Sequence, residues 1–352
     1  MYPRVKIDLN KLRENCLRMI EYSKQNGIDI LMPVVKVVAG DKLVANVFKE
    51  CGFQYIGDSR LKNLKNYQDL PLKKLLVRIP SLSEVSEVVR YSDIALNSEL
   101  ETVIALDLEA KSQNKKYEII FMFDLGDLRE GVFYKDDYLK DIEKILSLKN
   151  IVLKGIGTNL TCYGGLVPSS IILNRLVEIK SKIEKTFKIN LEIISGGNSS
   201  SVYLFDKQEI PLEVNSLRIG EAIFFGKETS YSTDIEGFNH DIFTLEAEII
   251  ECKLKPSYPD GEMSINSFGE KVVIEDKGIM KRAILAIGKQ DIILDNIKPI
   301  DKKISVIGGS SDHLIMDITN TDYKLGDIIE FNVNYPGLLH LMNSPYVERV
   351  YK

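Results

Sequence analysis

Residues 8 to about 228 alternate between strand-like and helix-like segments, and this alternation limits the choice of fold more than any other feature. Amphipathic segments such as 42–51 and 171–186 separate the predicted strands. Short apolar or β-branched runs predict strands at 33–40, 53–58, 75–80, 94–97, 118–124, 152–158, 191–197 and 217–220. About eight strand–helix units in roughly 220 residues favour a closed parallel (β/α)8 barrel, in which the chemistry lies where the strands end.

The sequence pattern changes beyond residue 226. The segment 230–240 is polar and rich in turn residues, as is typical of a linker. Further strands are then predicted at 243–255, 272–274, 281–287, 304–307, 313–319 and 328–333. We therefore predict an α/β chain with a (β/α)8 TIM barrel over 8–230 and a C-terminal all-β domain over 231–352. A strand at 1–7 is a candidate member of the β-domain.

Composition excludes several classes of protein. The net charge of −5 provides no basic surface for nucleic acid or an anionic membrane. No apolar run approaches the ~18 residues of a membrane span, and the N-terminus lacks a secretory signal pattern. The cysteines have no CxxC spacing, which favours a reduced cytoplasm, and the three histidines form no metal-binding pair.

Lys36 is the one charged residue of the apolar run 33–40, which we predict to be a buried strand. Burial of an ammonium group is unfavourable, so a lysine in a buried strand must be neutral, paired with an acid or able to reach water. A neutral lysine is a nucleophile that forms a Schiff base with a carbonyl substrate or with pyridoxal phosphate (PLP). A lysine that extends from a strand end to water, or that pairs with a carboxylate elsewhere in the chain, explains the same run.

Two later motifs have the composition of ligand sites. Residues 195–201 read SGGNSSS after an apolar strand, and their backbone N–H groups and hydroxyls could hold a phosphate group. An ordinary Gly/Ser turn has the same composition. Residues 217–226 read LRIGEAIFFG and place Arg218 and Gly220 at the end of another predicted strand.

With these motifs in this order, the whole chain resembles the alanine racemase family of fold-type III PLP enzymes. The segments PVVKVVAGD, AIGKQDI and GGSSDHLIMD resemble its ornithine racemase branch most closely. The resemblance implies that Lys36 holds PLP, that Ser199 and Gly220 bind the PLP phosphate, and that Arg218 donates to its pyridine nitrogen. An arginine that keeps its proton makes PLP a weaker electron sink, which suits racemisation.

The same resemblance assigns further positions. Asn159 stands where the family has a histidine against the PLP ring, and Tyr335 matches a tyrosine that meets the PLP phosphate. Arg129 matches the arginine that reaches toward the substrate carboxylate. The extra acid Asp127 is a candidate for binding a basic substrate side chain.

The resemblance also implies a homodimer with shared active sites, because the loop around 308–317 enters the other subunit's site in this family. The family's proton-donating tyrosine is replaced by Phe268 in the nearest match, Ser267–Gly269. We therefore expect Ser311 to be the acid/base opposite Lys36 and Asp312 to bind the distal ammonium of the substrate.

We predict a cytoplasmic PLP-dependent racemase that interconverts L- and D-ornithine by two-base α-proton transfer through a Schiff base on Lys36. Alternatives that the sequence leaves open are an alanine or other amino-acid racemase, a non-catalytic PLP-binding protein, and a cofactor-free aldolase. The substrate side chain, the acid/base opposite Lys36 and the physiological direction are not determined by the sequence.

Overall fold

A computed structural model describes residues 1–266, 268–271 and 273–352 of the chain. The chain divides into two compact units. One unit contains Asn10–His240, and the other combines Met1–Leu9 with Asp241–Lys352. The first strand, β1 (Arg4–Ile7), belongs to the second of these units.

The unit 10–240 is built on a parallel sheet that curves into a barrel. Its strands are β2 (Ile30–Pro33), β3 (Tyr55–Asp58), β4 (Lys73–Leu76), β5 (Ile94–Asn97), β6 (Tyr117–Asp124), β7 (Val132–Phe133), β8 (Ile151–Gly157), β9 (Ile193–Ser195) and β10 (Ser216–Ile219). The hydrogen-bonded order is β2-β10-β9-β8-β6-β5-β4-β3, with β7 paired to β6. A parallel bridge between Val34 and Gly57 joins the two ends of this order, so the barrel is nearly closed.

Helices connect the strands of this unit. They are α1 (Leu9–Gln25), α2 (Lys42–Glu50), α3 (Leu61–Asn66), α4 (Val85–Tyr91), α5 (Leu100–Ser112), α6 (Leu139–Ser147), α7 (Ser170–Phe187) and α8 (Glu221–Phe225). Side chains start two of them: the Val44 N–H donates to Asp41 Oδ1 (3.0 Å), and the Ile172 N–H donates to Ser169 Oγ (3.3 Å). Helix α7 buries one apolar face at helical spacing, made of Ile172, Leu173, Leu176, Ile179 and Ile183.

The barrel interior is a packed apolar core. Its buried members come from most of the parallel strands and are Met32, Tyr55, Leu75, Ile94, Leu96, Ile120, Met122 and Ile193. A filled barrel leaves no room for a ligand in the middle. Ligand chemistry in this unit is therefore confined to the ends of the strands.

Among the described residues, the other unit is a mostly antiparallel sheet with one α-helix. Its later elements are β11 (Phe243–Pro256), β12 (Ile279–Leu285), β13 (Ile297–Pro299), β14 (Ser305–Gly309), β15 (Leu314–Asp317), β16 (Ile328–Val333), α9 (Tyr335–Asn343) and β17 (Glu348–Tyr351). The order is β13-β16-β11-β12-β15-β14, while β1 pairs with both β11 and β17. The predicted barrel and separate β-domain are confirmed. The expectation of an all-β domain missed α9, which Asn334 caps by accepting the Gly337 N–H (2.9 Å).

The predicted strand at 33–40 is wrong beyond its first residue. Strand β2 ends at Pro33, and Lys36–Val38 form one turn of 3-10 helix. Ala39 then adopts the left-handed conformation (φ 47°), which ends that turn. Pattern alone could not separate the two structures, because Val35, Val37 and Val38 are buried in a helical turn as they would be in a central strand.

One predicted strand of the second unit also fails. The strand at 272–274 begins at Val272, which lies outside the described residues, and Val273 and Ile274 belong to no strand. Val273 is 91% exposed. Its β-branched side chain favoured a strand in the sequence, but nothing packs against it, and β-propensity acts mainly through such packing.

Candidate active site

Polar side chains collect at the carboxyl ends of the barrel strands. Asp58 ends β3, Asn97 ends β5 and Thr158 follows β8. In each of them a buried oxygen has no hydrogen-bond partner among the described residues: Asp58 Oδ2, Asn97 Oδ1 and Thr158 Oγ1. Buried polar atoms are normally hydrogen-bonded. Three unpartnered atoms at the same end of one barrel therefore indicate a site for a polar ligand.

Lys36 lies at this end of the barrel and is half-buried rather than enclosed in a strand. Its ammonium makes no hydrogen bond or salt bridge to any residue that the structure describes. The preceding Val35 N–H donates to the Gly57 carbonyl (2.8 Å), which attaches the lysine turn to the end of β3. An unpaired amine at the end of a barrel is free to react with a carbonyl group.

The charge of Lys36 lowers the pKa values of two nearby carboxyl groups, although burial raises both of them more. Burial raises the pKa of Asp58 to about 6, although the Arg60 N–H, the Asn63 amide and the charge of Lys36 all oppose the rise. Burial also raises the pKa of Glu221, against the charges of Lys227 and Lys36. The charge of Lys36 therefore acts on both of these carboxyl groups.

Ser199 forms the centre of an anion cradle. It begins a 3-10 helix, and its Oγ accepts the N–H groups of Gly220 (3.2 Å) and Ala222 (3.1 Å). Glycine suits this position, because a Cβ on Gly220 would lie only 3.0 Å from the Val34 carbonyl oxygen. Two N–H groups and one hydroxyl converge on a small volume. This donor set fits a phosphate group.

Arg218 is only 4% exposed. Its Nη1 donates to Ser195 Oγ (2.5 Å) and its Nη2 to the Thr158 carbonyl (2.5 Å), while Nε donates to no described residue. Burial lowers the pKa of Arg218 to about 10, with the charge of Glu130 acting in the opposite direction. The guanidinium thus stays charged at neutral pH and is held rigidly by the ends of two neighbouring strands.

A second network lies beside Arg218. Glu130 pairs with the adjacent Arg129 and accepts a hydrogen bond from Asn159 Nδ2 (3.2 Å). Asn159 Oδ1 in turn accepts from Asn198 Nδ2 (2.7 Å). Burial raises the pKa of Glu130, but the hydrogen bond and charge of Arg129 bring it below its usual range. Nη1 of Arg129 has no partner in the described part of the chain and can still bind an anion.

Asp127 corrects a sequence-based expectation. We expected it to bind a substrate side chain, but it is fully buried, and its carboxylate accepts four backbone N–H groups. Thr161 and Leu166 donate to Oδ1 (3.0 Å each), while Cys162 (3.1 Å) and Tyr163 (3.0 Å) donate to Oδ2. With both oxygens occupied, Asp127 holds the loop 161–166 and has no capacity for a substrate.

The remaining predicted residues lie in the other unit. Ser311 and Asp312 are exposed in the turn between β14 and β15. Asp312 Oδ1 faces Ser310 Oγ (3.2 Å), Ser311 Oγ (3.2 Å) and His313 Nδ1 (2.9 Å). The hydrogen bond from His313 lowers the pKa of Asp312. Asp312 is therefore a carboxylate at neutral pH, and its second oxygen has no hydrogen-bond partner among the described residues.

Tyr335 is the first residue of α9 and is half-buried. Phe268 is 46% exposed, and the ammonium of Lys289 lies 4.3 Å from its ring centre. Ser267, the first residue of the predicted Ser267–Gly269 match, lies outside the described residues. The role expected for Tyr335 at the PLP phosphate stays a prediction.

Sequence reasoning missed Asp58 and Asn198. Asp58 is the last residue of a strand that was predicted at 53–58, and an acid at the carboxyl end of a barrel strand is itself a signal. Asn198 caps the 3-10 helix at Ser199 by accepting the Ser200 N–H (2.8 Å). It lies inside the SGGNSSS motif, but only its contact with Asn159, 39 residues away, identifies its part in the site.

Two negative findings apply to the described residues. No group of three or more His, Cys, Asp or Glu side chains there is arranged to hold a metal ion. Within the same residues, no helix has both the length and the apolar character needed to cross a membrane.

Comparison with known proteins agrees with this geometry. The chain is 47% identical to ornithine racemase from Acetoanaerobium sticklandii over 99% of both chains. It is 38% identical to lysine racemase from Thermotoga maritima over 100% of this chain and 99% of that one. The fold matches alanine racemase from Bartonella henselae with covalently bound pyridoxal phosphate (TM-score 0.75, 16% identity, 99% of both chains). Residues 7–228 match the family "Alanine racemase, N-terminal domain", and the chain belongs to that family.

Proposed function

We propose that this protein is a PLP-dependent racemase that interconverts L- and D-ornithine. The observation that carries the proposal is 47% identity with an ornithine racemase across 99% of both chains. The second relative is a lysine racemase, which also supports a basic substrate and makes lysine the alternative. A barrel without a second domain would suit a non-catalytic PLP-binding protein, whereas these relatives are matched over the β-unit as well.

The residues at the end of the barrel fit PLP. Lys36 would hold the cofactor through its amine, Ser199 with the N–H groups of Gly220 and Ala222 would bind the phosphate, and Arg218 Nε would donate to the pyridine nitrogen. Asn159 would lie against the ring, and Tyr335 would reach the phosphate. When bound, PLP withdraws electrons from the Cα of an amino acid and makes its α-proton acidic.

Arg218 controls how strongly that withdrawal acts. Its pKa of about 10 keeps the guanidinium protonated at neutral pH, and it donates a hydrogen bond without giving up the proton. The hydrogen bonds to Ser195 and the Thr158 carbonyl hold the guanidinium in place at this position. Arg218 would therefore leave the pyridine nitrogen of bound PLP unprotonated, which would disfavour transamination as a side reaction.

Racemisation in both directions needs an acid/base on each face of the Cα. Lys36 would take and return the proton at its Nζ on one face. For the other face we propose Ser311, supplied by the second subunit of a homodimer. Hydroxyls are weak bases, so Ser311 would act directly or through a water that it holds.

We propose that charged side chains bind the two charged ends of the substrate, its α-carboxylate and its distal ammonium. Arg129 would bind the α-carboxylate through Nη1, which Glu130 leaves free. Asp312 of the second subunit would bind the distal ammonium through the oxygen that its neighbours leave free. We propose that the enzyme is cytoplasmic, which is supported by four cysteines that are all free thiols.

The test is chiral analysis of the purified protein with added PLP. L-ornithine, L-lysine and L-alanine are offered separately, and the appearance of each D-enantiomer is followed. We expect kcat/KM to be highest for ornithine. A higher kcat/KM for lysine or alanine would show that ornithine is not the preferred substrate. If no amino acid were racemised, the proposed activity would be wrong.

A further inference from the structure

Asp58 is a carboxyl group for which the proposed reaction has no use. It has no exposed surface and ends strand β3. Oδ1 accepts the Arg60 N–H (2.9 Å) and Asn63 Nδ2 (3.0 Å), whereas Oδ2 is buried and accepts nothing from the described residues. A buried carboxylate oxygen without a donor is costly. A donor that reached Oδ2 would therefore stabilise the carboxylate.

Lys36 is the group best placed to be that donor. Its charge acts on Asp58, and its turn is attached to the residue before Asp58 by the Val35–Gly57 hydrogen bond (2.8 Å). The lysine has no partner of its own among the described residues. Because Oδ2 is closed to solvent, a dissolved cation cannot reach it, whereas a four-carbon side chain next to it can do so by changing rotamer.

The geometry of the two groups is held by amides from helix α3. Asn66 Nδ2 donates to the Gly40 carbonyl (3.2 Å), at the end of the turn that carries Lys36. A Cβ on Gly40 would lie 3.0 Å from Asn63 Oδ1, so Asn63 packs against this turn while it donates to Asp58. Asp58 and the lysine turn are thus fixed to the same short helix.

Other charged groups nearby are already engaged or act elsewhere. Arg78 donates to the Ser59 carbonyl (3.2 Å) and pairs with Glu84 (2.5 Å). Arg60 supplies its backbone N–H to Asp58. The charge of Lys36 also lowers the pKa of Glu221, but the Glu221 side chain is only half-buried. Of the carboxyl groups of Asp58 and Glu221, only that of Asp58 is completely buried and has an oxygen without a partner among the described residues.

We propose that Asp58 is a positioning residue whose Oδ2 accepts a hydrogen bond from the amino group of Lys36 whenever that lysine is released from the cofactor. The contact holds the amine where it can exchange a proton with the substrate. This inference rests on the proposed function, because it takes Lys36 as the cofactor lysine. Burial raises the pKa of Asp58 to about 6, so the contact is present above that pH and is lost as the pH falls through it.

The experiment compares the holoenzymes of the wild type, Asp58→Asn and Glu221→Gln. The pH dependence of kcat and KM for L-ornithine and of the visible absorbance of bound PLP is measured for each. In the wild type, kcat and the absorbance should both change with a midpoint near 6. Asp58→Asn should lower kcat at neutral pH by ~10- to 100-fold with little effect on KM, and both transitions should disappear. Glu221→Gln should keep them.

Asn63→Ala separates positioning from local structure. It removes a donor to Asp58 Oδ1 and leaves Oδ2 in place, so both transitions should persist, with midpoints moved to higher pH because the Asn63 hydrogen bond lowers the pKa of Asp58. If Asp58→Asn retains the wild-type transitions, the inference is wrong. If Asp58→Asn does not fold, Asp58→Ser is measured in the same way. Borohydride labelling of the wild type distinguishes the two hypotheses, because a label absent from Lys36 overturns the proposed function, whereas a label on Lys36 leaves only the role of Asp58 in question.

Discussion

Substitution of Asp127 by asparagine should loosen the loop 161–166 without selecting against a basic substrate. The carboxylate of Asp127 accepts two backbone N–H groups on each oxygen. An asparagine can keep one pair of these hydrogen bonds through its single oxygen. Its NH2 group then faces the other pair of N–H donors, which lose their acceptor.

The magnitude follows from the two donors that are left. An unsatisfied donor costs ~1–3 kcal/mol, so the loss of the Cys162 and Tyr163 bonds would cost about 2–6 kcal/mol in all. Both of these residues are exposed, so water can reach their N–H groups once the loop moves. We therefore expect the lower end, about 2 kcal/mol, which raises the open population of the loop roughly thirtyfold.

Hydrogen exchange followed by mass spectrometry on the 161–166 segment measures this opening directly. The matched control is Asp124→Asn. Asp124 accepts the N–H groups of Gly126 (2.8 Å) and Leu128 (3.1 Å) on one oxygen only, which an asparagine reproduces. Exchange in the control should therefore stay within a few-fold of the wild type.

KM measurements with two substrates decide whether Asp127 has a structural role or binds the substrate. A structural role predicts that Asp127→Asn alters KM for ornithine and for alanine by similar factors. The reasoning is refuted if loop exchange is unchanged while KM rises for ornithine alone, because that result would show that the carboxylate binds the distal ammonium.

Four further outcomes test the site. Borohydride reduction with PLP should label Lys36, and a label on another lysine in the peptide map contradicts that assignment. Arg218→Glu should protonate the pyridine nitrogen and increase keto-acid side product, whereas an unchanged product ratio would place Arg218 away from the ring. Asp312→Asn should raise KM for ornithine ~10- to 100-fold with little change for alanine, and an equal effect on both makes Asp312 structural. Ser311→Ala should slow α-proton exchange in one enantiomer more than in the other, and symmetrical slowing would exclude Ser311 as the second base.

The sequence alone predicted the architecture because barrel strands and their helices leave strong periodic patterns. Continuous apolar runs such as 118–124 are what a strand buried on both faces requires, and β6 (Tyr117–Asp124) occupies that run. The same reasoning failed at 33–40. A buried strand and a buried 3-10 turn select the same β-branched residues, and the left-handed conformation of Ala39 has no signature in its residue type.

The unusual position of Lys36 in an apolar run, and the resemblance of the surrounding motifs to the alanine racemase family, also identified Lys36, Ser199, Arg218 and Arg129 as candidates. What each polar atom contacts was decided only by the tertiary structure. Asp127 accepts N–H groups from a loop 34 to 39 residues further along the chain, which removes it from substrate binding. The free oxygen of Asp58 is equally invisible in the sequence, because hydrogen bonding and burial depend on which distant segments the fold brings together.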